Sequence, residues 1–394
     1  MNPLGAIDLA WRYVSRHRAQ SFLLAGALGI VAALPMIVRV LVSAAQEQLR
    51  ARAVATPLVV GQPGSATDLM LTALHFRSGG DKSIPLRLCD EVSDSGLAEV
   101  IPLHVRFNAQ GAPIIGTELE YFEFRGLTIA QGRMLTRLGD CVLGAGVARK
   151  KGLQPGGAIF SSPEQVFDLA GVYPLKMRIV GVLAPSGTPD DDAFFVDLKT
   201  SWLVQGIAHG HDDLAKPEQS ANVLPSADGG VVGSAAVRMF SEVTDKNEDG
   251  FHFHGDEGEF PVHAAIVIPS DRKAEAILVG RYQKSKELQI LRPVDVLEVL
   301  LGALFQIEKL VVGALALVAL AAGLVVALVF ALSFRLRQRE FATLAEIGVG
   351  RGTLWLAKMA EVVFIGAGAA IIAFSGREIA VVMARSILVK GFIG

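Results

Sequence analysis

From Val311 to Phe334 the chain reads VVGALALVALAAGLVVALVFALSF without a charge. That is about the length of the roughly 20 apolar residues a helix needs to cross a bilayer core. Two other runs share this character: Ser21–Ser43, and Leu354–Phe374 with Lys358 and Glu361 in its first turns. The pattern predicts membrane helices at 21–45, 307–334 and 354–375. Lys358 and Glu361 stand one helical turn apart, a spacing that lets them pair. Gly366, Ala367, Gly368, Ala369 and Ala370 give the last helix a small-residue face suited to close helix approach.

Charge sets the expected orientation. Arg12, Arg16 and Arg18 precede the first apolar run, and Arg335, Arg337 and Arg339 follow the second. Basic flanks favour the cytoplasmic side. This predicts residues 1–20 on the cytoplasmic side, as an interfacial helix or as an ordinary basic flank of the first membrane helix, a cytoplasmic elbow at 335–353, and residues 46–306 outside, in the periplasm of a Gram-negative cell. The first apolar run is longer than the roughly 7–15 residues of a signal-peptide core, so it is expected to stay as an anchor.

Residues 46–306 alternate polar and apolar positions with no spanning segment. Gln46–Ala55 extends the first helix. Pro57–Gly61, Phe122–Leu127, Met177–Leu183, Ala193–Leu198 and His263–Pro269 read as strands, and Ala66–Phe76 as a helix. Interleaved strands and helices predict an α+β class in two subdomains. Pro293–Lys309 is amphipathic and is expected to feed the second membrane helix.

The elbow has its own pattern. Arg339 and Glu340 open it, Phe341, Leu344 and Ile347 recur at i, i+3 and i+6, and Gly348, Arg351-Gly352 and Glu361 follow. An apolar stripe on a short cytoplasmic segment suits docking better than a solvated loop. This order resembles the FtsX/MacB-like permeases of ABC transporters, in which the elbow is the coupling helix that docks on a separate ATPase. A second match lies in the middle of the chain. Gly132-Arg133, Val142-Leu143-Gly144, Ala148, Gly152-Leu153, Gly156, Val180–Leu183, Gly187 and Asp191 resemble the periplasmic core domain of the same permeases.

The resemblance implies an inner-membrane permease subunit that couples a cytoplasmic ABC ATPase to movement of a periplasmic domain, for export or extraction of a substrate. The alternative is a regulatory transducer that activates a periplasmic enzyme through the same coupling. Arg339, Glu340, Phe341, Leu344, Ile347 and Gly348 are the implied coupling residues. A homodimer or paired permease, and a periplasmic adaptor or outer-membrane channel, are implied partners. Such permeases usually have a fourth membrane helix. Residues 376–394 carry Arg377, Glu378, Arg385 and Lys390 and are too short to span, so the expectation is a C-terminal interfacial segment in a three-helix form or a truncated four-helix one.

Composition narrows the chemistry. The 394 residues are 51% hydrophobic and 19% charged, with a net charge of −2, which does not suit nucleic acid. Gly-Lys-Ser and Gly-Lys-Thr are both missing, so ATP is expected on a partner and no cofactor in this chain. No catalytic triad or paired-carboxylate arrangement stands out, and the expectation is a non-enzyme. His209 and His211 form one histidine group, and His252, His254 and His263 another, with acidic neighbours. Imidazoles beside carboxylates suit zinc or copper; polar loops without metal have the same composition. Cys89 and Cys141 either pair or stay as two buried thiols.

Overall fold

The computed structural model describes residues 3–162, 174–210, 223–225, 231–233, 241–244, 251–253 and 255–390. The chain divides into a helical unit, Met1–Gln48 with Leu300–Leu388, and a sheet-rich unit built on Leu49–Val299. The class is mixed α+β.

Among the described residues, three helices are long and apolar enough to cross a membrane: Arg18–Val54, Lys309–Leu336 and Arg351–Ala384. Their outer faces are apolar. Leu317, Leu320, Leu324 and Leu328 are each more than 60% exposed, a patch that water does not favour. Inside, Ala25, Phe330 and Ile365 pack together with Leu24, Phe334 and Ile372 around them. The first and last long helices meet through small residues spaced by four. A Cβ on Gly368 would lie 3.4 Å from Ala25, one on Gly29 2.8 Å from Ile372, and one on Gly376 3.3 Å from Ala33. This is the small-residue approach expected from Gly368, carried two turns further by Gly376.

That contact explains why the expected boundary at 375/376 is not a break. The last helix runs uninterrupted from Arg351 to Lys390. No proline interrupts it, and Gly376 packs as part of it. The N-terminal helix is Pro3–Arg16, and the second long helix begins at Pro293, continuous with the amphipathic stretch read from sequence.

Among its described residues the sheet-rich unit has one eleven-stranded sheet. Across it the strands are Ser241–Glu242, Leu175–Leu183, Asp140–Leu143, Phe194–Asp197, Ala112–Thr117, Ala98–Ala109, Ala264–Pro269, Leu58–Gly61 and Gln289–Leu291. Ile129–Gly132 and Ala158–Phe160 also pair with Leu175–Leu183. Burial alternates along that strand: Leu175, Met177 and Ile179 are buried, while Lys176 and Arg178 are half-buried. Period-two burial marks a strand with one face on a core. Two apolar cores form, one around Ile114, Cys141, Met177 and Phe194, the other around Leu58, Trp202, Val262 and Val267. A single sheet joins them, where two subdomains were expected. Cys141 lies in the first core and Cys89 in the second, and both are free and buried.

Phe122–Leu127 is not a strand. Glu120–Phe124 is a short helix, closed by Gly126 at φ +64°. Tyr121 and Phe122 are adjacent yet both buried, and both pack on Phe195. A strand would send neighbours to opposite faces.

The motif glycines are spacing devices. A Cβ on Gly144 would collide with the backbone carbonyls of Asp190 and Asp191, and one on Gly181 with the carbonyl of Arg133. Gly132, at φ +81°, faces Val180 in the same way. Backbone cannot move aside as a side chain can, so Gly144→Ala should lower unfolding stability by about 1–3 kcal/mol. Thermal melting of the purified chain checks this, and an unchanged midpoint refutes it.

A half-buried histidine, His75, and a buried one, His104, make stability pH-dependent. Burial, reinforced by the Arg52 charge, pushes the His75 imidazole down to about 4. Burial, with His263 beside it, pushes His104 down to about 3. Both are neutral when folded, whereas the unfolded chain takes up protons below about 6.5. The unfolded state therefore binds more protons, and stability falls as pH drops from about 6.5 toward 4. At pH 5 the two together should have removed about 4 kcal/mol relative to pH 7.5. A melting midpoint that stays flat over that range would refute the assignment.

Candidate functional site

The elbow is a nine-residue helix, Gln338–Glu346. It starts without a side-chain cap at Arg337 and ends sharply. Gly348 adopts φ +95°, its N–H donates to Ala345 O at 3.0 Å, and the Val349 N–H donates to Leu344 O at 3.0 Å. This paired closure over a left-handed glycine is a Schellman motif. The last long helix begins three residues later, at Arg351.

The three apolar elbow residues do not share one face. Phe341 is turned inward at 9% exposure, Leu344 is half-buried, and Ile347 is 75% exposed. At about 100° per residue, i and i+6 stand some 120° apart. The spacing that read as one stripe therefore spreads around the helix. Phe341 is an internal residue of the unit, and Ile347 is the apolar side chain presented outward. Arg339 and Glu340 are exposed; the Arg339 carbonyl accepts from the Thr343 hydroxyl at 3.1 Å.

Sequence reasoning missed the group that holds the elbow. Arg337 Nη1 donates to Glu361 Oε2 at 3.0 Å, and its Nε to Glu340 Oε2 at 3.2 Å. The expected Lys358–Glu361 pair is replaced by this contact. Lys358 Nζ instead stands 4.4 Å from the centre of the Phe341 ring and 5.5 Å from that of Phe334, a cation–π arrangement. Arg337 and Glu361 are 24 positions apart, so no helical spacing pointed to them. An acidic residue inside an apolar run was the available signal.

The histidines divide. His209 and His252 are Cα partners in a two-stranded ladder of Ala208–Gly210 with Phe251–Phe253. His211 and His254 lie outside the described residues. His263 is buried elsewhere: its Nδ1 accepts from the Val105 N–H at 3.3 Å, and its Nε2 lies 3.2 Å from Gly80 O. Both ring nitrogens are engaged, so neither is free for a metal. Among the described residues no group of three or more His, Cys, Asp or Glu could hold one.

A family model described as "MacB-like periplasmic core domain" matches residues 21–238. Comparison with curated proteins gives no match. Among solved structures, the periplasmic region of MacB from Actinobacillus actinomycetemcomitans is 12% identical, with a TM-score of 0.33, covering 62% of this chain and 92% of that one. The extracellular domain of the noncanonic ABC-type transporter YknZ from Gram-positive bacteria is 13% identical, with a TM-score of 0.30, covering 60% and 99%. A domain of a putative permease protein from Porphyromonas gingivalis is 13% identical, with a TM-score of 0.26, covering 60% and 86%.

Proposed function

The chain belongs to the ABC-permease-like family that carries a MacB-like periplasmic core domain, and from that premise we propose that it is the membrane subunit of a transport system driven by a separate cytoplasmic ABC ATPase. The subunit sits in the inner membrane with three crossings and a large periplasmic domain. ATP-driven closure of the ATPase pushes on the elbow, the long helices carry the displacement, and the periplasmic domain changes shape to expel or extract its substrate. The chain itself performs no catalysis.

The observation that carries this reading is the elbow: a short, sharply terminated helix between two long apolar helices, with an exposed isoleucine at its end. Arg339, Glu340, Leu344, Ile347 and Gly348 form or shape its outer part, and Phe341 anchors it from inside. Mild-detergent purification followed by mass spectrometry tests the assignment. The expected result is co-purification of a nucleotide-binding ABC ATPase in near-stoichiometric amount. Recovery of the chain from native membranes with no such ATPase would overturn it.

A metal role for the histidines is proposed only at His209 and His252, because the ladder register sets them opposite each other. Elemental analysis for zinc or copper, with and without His209→Ala and His252→Ala, tests it. A metal-free wild-type protein purified without chelator ends the idea.

A further inference from the structure

Two of the three nitrogens of the Arg337 guanidinium are hydrogen-bonded, and its plane faces aromatic rings. Its two hydrogen-bonded carboxylates, Glu340 and Glu361, lie on the elbow and on the last long helix. Its guanidinium carbon also lies 3.4 Å from the centre of the Tyr13 ring and 5.0 Å from that of Phe341. Tyr13 belongs to the N-terminal helix Pro3–Arg16. Arg337 itself follows directly on the second long helix, which ends at Leu336. One guanidinium therefore ties together the N-terminal helix, the end of the second long helix, the elbow and the last long helix.

The group is built to hold. The Arg337 side chain is 15% exposed and that of Glu361 7%. A buried carboxylate needs a charged partner, and removing one member of such a pair strands the other. A planar guanidinium can serve two carboxylates and stack on a ring at the same time; a lysine ammonium is a single point charge and cannot. Lys358 stands over the Phe341 ring, so the side of the elbow turned into the unit carries cationic contacts of its own. Ile347, at the far end of the short helix, is 75% exposed.

We infer that Arg337 is the positioning residue of the elbow, fixing the angle at which the short helix is presented and making it move with the N-terminal and last long helices as one body. The consequence for transport rests on the coupling reading above; the rigidity itself does not. Without the hub, a push on the elbow would rotate the short helix about its two ends and leave the long helices in place.

The test uses the full chain in lipid nanodiscs with a nitroxide at Ile347→Cys, and a control label at Leu317→Cys on the second long helix. Cys89 and Cys141 are buried and stay unlabelled in the folded chain. Arg337→Gln should shorten the rotational correlation time at position 347 by at least twofold and leave position 317 unchanged. Arg337→Lys should recover only part of the restraint. The exchange Arg337→Glu with Glu361→Arg re-forms only that one pair, loses the Tyr13 contact and sets a carboxylate beside Glu340, so it should restore only a small part of the restraint, which a merely space-filling role would not produce. If Arg337→Gln fails to insert, Glu361→Gln removes the same pair with nearly the same volume and should mobilise the same label. An unchanged spectrum at 347 in the variant that inserts overturns the inference. ATPase co-purification is measured separately on unlabelled chains. A wild type without an ATPase but with the mobility change refutes the coupling reading alone; a wild type with an ATPase and no mobility change refutes this inference alone.

Discussion

Replacing Arg52 with methionine should destabilise the sheet-rich unit by about 3–5 kcal/mol, the usual cost of removing one member of a buried ion pair. Arg52 Nη1 and Nη2 donate to the two oxygens of Asp190 at 2.6 and 3.2 Å, and Nη2 reaches Tyr121 Oη at 3.2 Å. The side chains are 6% and 1% exposed, so water cannot replace the lost partner. Tyr121 and Thr188 hydroxyls also donate to Asp190, and they alone cannot balance a full buried charge. Burial by itself would raise the Asp190 carboxyl; the Arg52 charge and these hydrogen bonds outweigh it and hold the group below the usual carboxylate range. A depressed carboxyl contributes stability that is present above its unfolded value of about 3.9 and is lost as pH falls through the folded value. Arg52→Met should abolish that acid-side contribution as well as lower the melting midpoint. Adding Asp190→Asn should recover part of the loss, because the amide keeps hydrogen-bonding capacity and carries no charge. Thermal melting of the full chain at pH 7.5, with hydrogen exchange to locate the effect in residues 49–299, is the measurement. A loss under 1 kcal/mol for Arg52→Met would show that the pair is not the anchor its burial implies.

Arg52 also shows what could be read in advance and what could not. The three apolar runs were legible because membrane solvation imposes length and charge rules on contiguous sequence. The motif glycines were legible as positions, although their reason appeared only with the structure: Gly144 and Gly181 lie against backbone. Arg52, Asp190 and Tyr121 are separated by 69 and 138 positions, and no local pattern joins such residues. The same limit hid Arg337 and Glu361. Periodicity misled in two places. Phe122–Leu127 has strand-like composition, yet packing of Tyr121 and Phe122 on Phe195 selects a helical turn. Phe341, Leu344 and Ile347 recur regularly, yet their spacing drifts around a nine-residue helix. In both cases tertiary contact, which a window of neighbours does not contain, decided the local outcome.

The elbow yields the second large effect. If Ile347 enters a groove on the ATPase, its burial contributes about 1.5–3 kcal/mol to docking. Ile347→Asp removes that contribution and places an unpaired carboxylate on a desolvated surface, which adds a further penalty. At about 1.4 kcal/mol per tenfold, docking should weaken by at least tenfold and co-purification of the ATPase should be lost. Leu344→Ala is expected to be milder, because Leu344 is already half-buried within the unit and offers less surface to a partner. Phe341→Ala should act differently: the ring is internal, with Arg337 and Lys358 over it, so its removal should loosen the helical unit before it touches docking. Arg339→Ala, at an exposed site outside the apolar contact, should change binding by no more than about threefold, the scale of an ordinary surface substitution. None of these changes alters the three long apolar runs, so insertion should be normal in each. The measurement is ATPase co-purification and ATP hydrolysis by the complex, with chain levels matched by blot. Normal coupling in an inserted Ile347→Asp chain would remove the elbow from the docking surface, and with it the mechanical reading of this subunit.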